Sequence, residues 1–109
     1  MSDYPEKTCS IDRLLTHGKL VAAALAGQKT QQRRAGVYAY PGESFDLNGQ
    51  AFVVKDLRQE RYGDMTDRDA QSEGYPSLGM YKDLIKRMHG GQDMPGEQLV
   101  WVHEFEKAE

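Results

Sequence analysis

The residues best placed for chemistry are Lys29, Thr30, Gln32, Arg33 and Arg34, which follow the apolar run Leu20–Ala26 and Gly27. Glycine just past a helix takes the left-handed cap without a Cβ penalty. The chain therefore reverses at Gly27 and delivers Lys29 to the start of an extended segment. Neighbouring cations and partial burial both depress a lysine pKa, which makes Lys29 a usable base. As a nucleophile on an amide it would yield another amide, no easier to cleave. It suits a base or positioning cation for an attacking water, or, protonated, a stabiliser of an oxyanion. Gln32 offers an amide donor to the same oxyanion, and Thr30 is the nearest hydroxyl. Strand alternation puts Thr30, Gln32 and Arg34 on one face and Lys29, Gln31 and Arg33 on the other. Lys29 and Gln32 can then meet only if Lys29 sits in the corner, before regular strand begins.

The second chemical position is Glu73. It closes a short helix before Gly74, where the helix dipole disfavours a carboxylate. A charge so placed calls for a partner, and Lys29 is the candidate. The guanidinium forks of Arg33 and Arg34 match a phosphate or a base carbonyl. Tyr38 and Tyr75 are aromatics able to stack a base. His103 reads as a satisfied core histidine, and Trp101 as core.

The bulk numbers bound the function. The chain has 109 residues and a net charge of −3, with one cysteine, Cys9, and scattered His17, His89 and His103. That length suits one domain. The negative balance argues against general polyanion binding, which rests on neutralising phosphates. A lone cysteine forms no internal disulfide and suits a reducing cytoplasm. Metal-ligand spacing is missing, so no metal or cofactor is expected. The longest apolar run is too short to cross a bilayer, so no membrane partner is expected. The oligomeric state is left open.

The elements that must position these residues follow in order. Residues 1–9 read as a disordered tail and 10–109 as one domain. Ile11, Leu14 and Leu15 share a helical face behind Ser10 or Asp12, and Gly18 interrupts before Lys19–Ala26. Lys29–Arg34 reads as a strand, continued through Val37, Tyr38 and Tyr40 toward the Pro41-Gly42 turn. Ser44–Leu47 and Ala51–Leu57 flank Asn48-Gly49, the strongest short hairpin signal, with the second strand running on toward Arg61. Thr66 to Asp69 has capping-box form and opens a helix from Asp67 to Glu73. Ser77 caps a further helix with Leu78, Tyr81, Leu84, Ile85 and Met88 on one stripe, closed by Gly90-Gly91. Leu99–Phe105 alternates as a strand. The sum is an α+β fold, a small mixed, partly closed β-barrel flanked by short helices.

Gly27, Lys29 and Arg34 match the Gly-x-Lys-x-x-x-x-Arg signature, and the chain here resembles ASCH domains. Gly63-Asp64-Met65-Thr66, Ala70 to Tyr75 and Val100 to Phe105 extend the likeness over roughly residues 14–106. The resemblance implies a PUA-like fold with a cleft beside the signature. Small bacterial members of the family include amidohydrolases acting on N(4)-acetylcytidine, and another branch has single-strand ribonuclease activity. The resemblance implies catalytic roles for Lys29 and Glu73. The family's threonine position holds Gln32 in this chain. The expectation is a metal-independent amidohydrolase of N(4)-acylated cytosine nucleosides, with Lys29, Glu73, Gln32 and Thr30 catalytic and Arg34, Arg33, Tyr75 and Tyr38 binding a small-molecule substrate. The alternative is an RNA-binding module or ribonuclease using the same basic cleft.

Overall fold

A computed structural model describes residues 4–88, 90–92 and 94–108. The chain order is α1 (Gly18–Leu25), β1 (Gln31–Arg34), β2 (Ser44–Leu47), β3 (Gln50–Arg61), α2 (Asp67–Ser72), α3 (Leu78–Met88) and β4 (Leu99–Lys107), with 3-10 turns at Ile11–Arg13 and Tyr62–Asp64. One sheet of order β1-β4-β3-β2 forms, every pair antiparallel. β1 is an edge strand, paired to β4 through Gln32 opposite His103 and Arg34 opposite Trp101.

The hairpin of β2 and β3 turns at Asn48 (φ 51°) and Gly49 (φ 91°), and the Asp46 carboxylate accepts from the Gly49 N–H at 2.9 Å. Two successive positive φ values suit the twist of the flanking strands. β3 then runs on to Arg61. Its register against β4 shifts between Val54 and Asp56. A bulge of this kind bends and coils the strand, which helps curl an open sheet into a half-barrel.

Phe52, Phe105, Leu47 and Leu15 form one core cluster, with Phe45 stacked on Phe52 at 5.6 Å between centroids. Tyr62, Met65, Ala70 and Tyr81 form a second under α2 and α3. No helix among the described residues is long and apolar enough to cross a membrane.

Three local expectations are changed. Val37–Tyr40 is not a strand, because its backbone is spent elsewhere: Val37 O accepts from Thr8 N at 2.9 Å, and Tyr38 N donates to His103 Nε2 at 3.0 Å. Residues 4–9, read from sequence as a disordered tail, lie along this loop. Tyr40 Oη donates to Pro5 O at 2.7 Å, Lys7 pairs with Glu43 at 2.6 Å and Tyr4 stacks on Tyr40. Residues 1–3 and His89 lie outside the described residues. Trp101 is only half-buried, whereas Val100 and Val102 join His103 and Phe105 in being buried. β4 lies inside the sheet and is covered on both faces over part of its length, so simple alternation misassigns it.

Candidate active site

Two helix ends build the site. α1 closes with Gly27 at φ 80°, where Gln28 N donates to Ala23 O at 2.9 Å and Gly27 N to Ala24 O at 3.0 Å. α2 closes with Gly74 at φ 101°, where Tyr75 N donates to Ala70 O and Gly74 N to Gln71 O, both at 3.0 Å. Each is a Schellman motif, in which a left-handed glycine lets orphan carbonyls find donors. Start-up of α2 is equally well specified: Thr66 and Asp69 form a complete capping box. The two ends then abut. Thr30 N donates to Ser72 O at 2.8 Å, and a Cβ on Gly74 would lie 3.6 Å from both Ala23 Cβ and Lys29 Cβ.

Lys29 sits in the corner before β1, where the alternation argument requires it. It is 1% exposed. Its Nζ donates to Gln31 O at 2.7 Å, Glu73 O at 2.8 Å and Glu73 Oε1 at 3.4 Å. Three oxygens around one nitrogen match the three donors of an ammonium. The Glu73 carbonyl is an orphan of the α2 C-terminus, so Lys29 also caps that helix dipole. Burial pushes the Lys29 pKa below its ordinary value, and the Glu73 carboxylate works against that shift. Arg33 and Arg34 push it further down.

Glu73 is 2% exposed, and its carboxylate is shared. Oε2 accepts from Arg33 Nη1 at 3.0 Å. Arg33 braces the whole corner, since Nη1 also reaches Gln31 Oε1 at 3.0 Å and Nη2 reaches Glu60 at 3.1 Å and Asp69 at 3.6 Å. A buried carboxylate paired with two cations and held by hydrogen bonds is the arrangement that offsets desolvation.

Against this corner lies a cavity of about 660 Å³. β1 contributes Gln32, Arg33 and Arg34 to its wall, and the α2–α3 corner contributes Glu73, Gly74 and Tyr75. The segment into α1 contributes Leu15 to His17, Lys19 and Leu20, and α3 contributes Tyr81, Leu84, Ile85 and Met88. Lys29 stands behind the wall and does not line it. The volume and the mainly apolar walls with a few polar groups are those of a small-molecule site.

The sequence-derived residues divide accordingly. Lys29, Arg33 and Glu73 come together, and Gln32, Arg34 and Tyr75 line the same cavity. Tyr75 packs edge-on against Tyr81 at 5.2 Å, and burial, helped by Glu73, raises its hydroxyl pKa. Burial and Glu73 also raise that of Tyr81. Thr30 is exposed and does not line the cavity. Tyr38 lies outside it too, edge-on to His103 and beneath Arg34 at 5.3 Å. The Gln32 amide donor is engaged, since Nε2 lies 3.4 Å from Arg33 O. His103 is fully buried, with Nδ1 3.2 Å from Gln32 O and Nε2 accepting from Tyr38 N. Sequence reasoning missed the cavity role of Leu84, Ile85 and Met88, whose helical stripe looks the same whether it faces core or cavity.

No protein-family model matches the chain, and no curated protein does. Two solved structures are similar to it. A crystal structure of an ASCH domain from Lactobacillus crispatus JV V101 superposes with a TM-score of 0.68 at 12% identity, covering 91% of this chain and 78% of that one. Protein EF3133 from Enterococcus faecalis V583 gives a TM-score of 0.57 at 13% identity, covering 83% of this chain and 67% of that one. Identities this low carry fold and nothing about activity. With its curled antiparallel half-barrel and short flanking helices, the chain has the small α+β fold of that ASCH-domain structure.

Proposed function

We propose that the protein is a metal-independent amidohydrolase that removes the acyl group from N(4)-acylated cytosine nucleosides. The observation that carries the reading is the buried Lys29–Glu73 pair set against the cavity wall, 3.4 Å from nitrogen to oxygen. Glu73 lines the cavity and Lys29 does not, so the carboxylate takes the role that touches the reacting atoms. An attacking water adds to the acyl carbon and gives its proton to Glu73. The C–N4 bond then breaks as Glu73 passes that proton to the exocyclic nitrogen. A free carboxylic acid and the cytosine nucleoside leave. Lys29 and Arg33 hold the carboxylate in place, and the positive field of the β1 arginines favours the oxyanion formed on the way.

Hydrolysis of N(4)-acetylcytidine is followed by absorbance. The expected result is turnover by the wild-type chain and its loss in Lys29→Ala and Glu73→Gln. Inactivity of the wild type at high enzyme concentration, or full rate in Lys29→Ala, ends this reading. Tight, steeply salt-dependent binding of single-stranded RNA by such an inactive chain would point to the RNA-binding alternative.

A further inference from the structure

Gln32 and Arg34 stand two apart on β1 and line the same cavity. Among the described residues, the buried side-chain polar atoms without a hydrogen-bond partner are Gln32 Oε1 and Arg34 Nε. Gln32 is 7% exposed. Buried polar atoms are nearly always paired, because desolvation without a partner is costly. Both atoms lie just beneath the cavity surface, and a ligand edge satisfies them once the two side chains turn toward it.

Their chemistry is complementary. Gln32 Nε2 faces the Arg33 carbonyl at 3.4 Å, which leaves Oε1 as the spare acceptor. Turning the amide over would set two oxygens against each other. Arg34 Nη2 donates to Leu14 O at 2.8 Å and to Arg13 O at 3.3 Å, and Nε–H is the buried donor of this guanidinium without a partner. His103 Nδ1, 3.2 Å from Gln32 O, anchors the strand at this point.

We propose that this pair reads a planar ligand edge carrying an N–H donor beside an acceptor. Resting on the cytosine reading above, that edge is the Watson–Crick edge of the base. N4–H donates to Gln32 Oε1, and N3 or O2 accepts from Arg34 Nε. Gln32 is then a specificity-determining residue rather than an oxyanion donor. The apolar side chains of Leu84 and Ile85 and the ring of Tyr75 are left to line the faces of the base.

The test is calorimetric binding of cytidine and of N(4),N(4)-dimethylcytidine, which lacks the donor. Wild type is expected to prefer cytidine by about tenfold or more, the usual effect of one buried hydrogen bond. Gln32→Met is expected to weaken cytidine binding and abolish the preference. Arg34→Lys, which removes Nε, is expected to weaken both nucleosides and keep the preference. Thermal melts establish that each variant folds. If Gln32→Met does not, Gln32→Asn withdraws the acceptor by one methylene and should give the same loss. An unchanged preference in the folded Gln32 variant, or no nucleoside binding by wild type, overturns the assignment. Hydrolysis of N(4)-acetylcytidine is measured alongside. Turnover with a preference that ignores Gln32 sinks this assignment alone, and a Gln32-dependent preference without turnover sinks the amidohydrolase reading alone.

Discussion

Lys29 has three N–H bonds and meets three oxygens, two of them from Glu73. Removing it leaves a buried carboxylate with Arg33 as its remaining cation. Lys29→Met is therefore expected to lose about 3–5 kcal/mol of stability in urea unfolding, the usual cost of breaking a buried pair. Glu73→Gln keeps the shape and the main-chain carbonyl that Lys29 also uses. It leaves two buried cations facing one neutral amide and so also costs stability, which urea unfolding measures, while turnover of N(4)-acetylcytidine in the folded variant falls about 10²–10⁴-fold, the range for a lost proton-transfer group. A kcat loss in Glu73→Gln no larger than the loss in stability-matched surface variants would count against its role. The residue types were readable from the sequence, and so was the mismatch of a carboxylate at a helix C-terminus. That Gln32 would spend its amide donor on its own strand was not, because a local side-chain rotamer depends on what packs over it.

Two left-handed glycines hold the site together at the level of elements. Gly27 has φ 80° and open space around its Cβ position, so Gly27→Ala tests conformation alone. It is expected to cost about 1–2 kcal/mol by thermal or urea unfolding. Gly18 makes the contrast, for it begins α1, and an added Cβ there meets nothing within 4 Å. Gly18→Ala is expected to stabilise by about 0.5–1 kcal/mol, since alanine restricts the unfolded chain and favours the helix. If both variants shift stability in the same direction, the left-handed cap at Gly27 does not depend on glycine. The Asn48-Gly49 hairpin and the Thr66–Asp69 capping box were equally legible, because each is written in a few adjacent residues. The 37–40 segment was not. Its apolar pattern resembles a strand, but its hydrogen bonds go to Thr8 and His103 from distant parts of the chain.

Across the whole molecule, His103 ties β4 to β1 and to the 37–40 loop through Gln32 O and Tyr38 N. Burial lowers its pKa from the ordinary 6.5, and the nearby Arg34 adds to the shift, while the Gln32 carbonyl opposes it. The unfolded chain thus takes up a proton near 6.5 that the folded chain refuses. Stability from this group is complete above that pH and declines as pH falls toward the lowered folded value. The slope is at most about 1.4 kcal/mol per pH unit. Urea unfolding between pH 7 and 5 should show the decline in wild type and a flatter profile in His103→Gln. Identical slopes would mean that the ring takes up its proton as readily in the folded chain as in the unfolded one.

Local signals within the chain determined most elements, the glycine corners, the α+β class and the identity of the chemical residues, because caps, turns and periodicities act over a few neighbours. Tertiary structure alone decided that the ends of α1 and α2 abut, that Lys29 lies behind the cavity wall while Glu73 lies in it, and that α3 turns apolar side chains toward a cavity. Those outcomes depend on packing between segments some forty residues apart, such as Lys29 against Glu73. No short-range pattern encodes the distance between them.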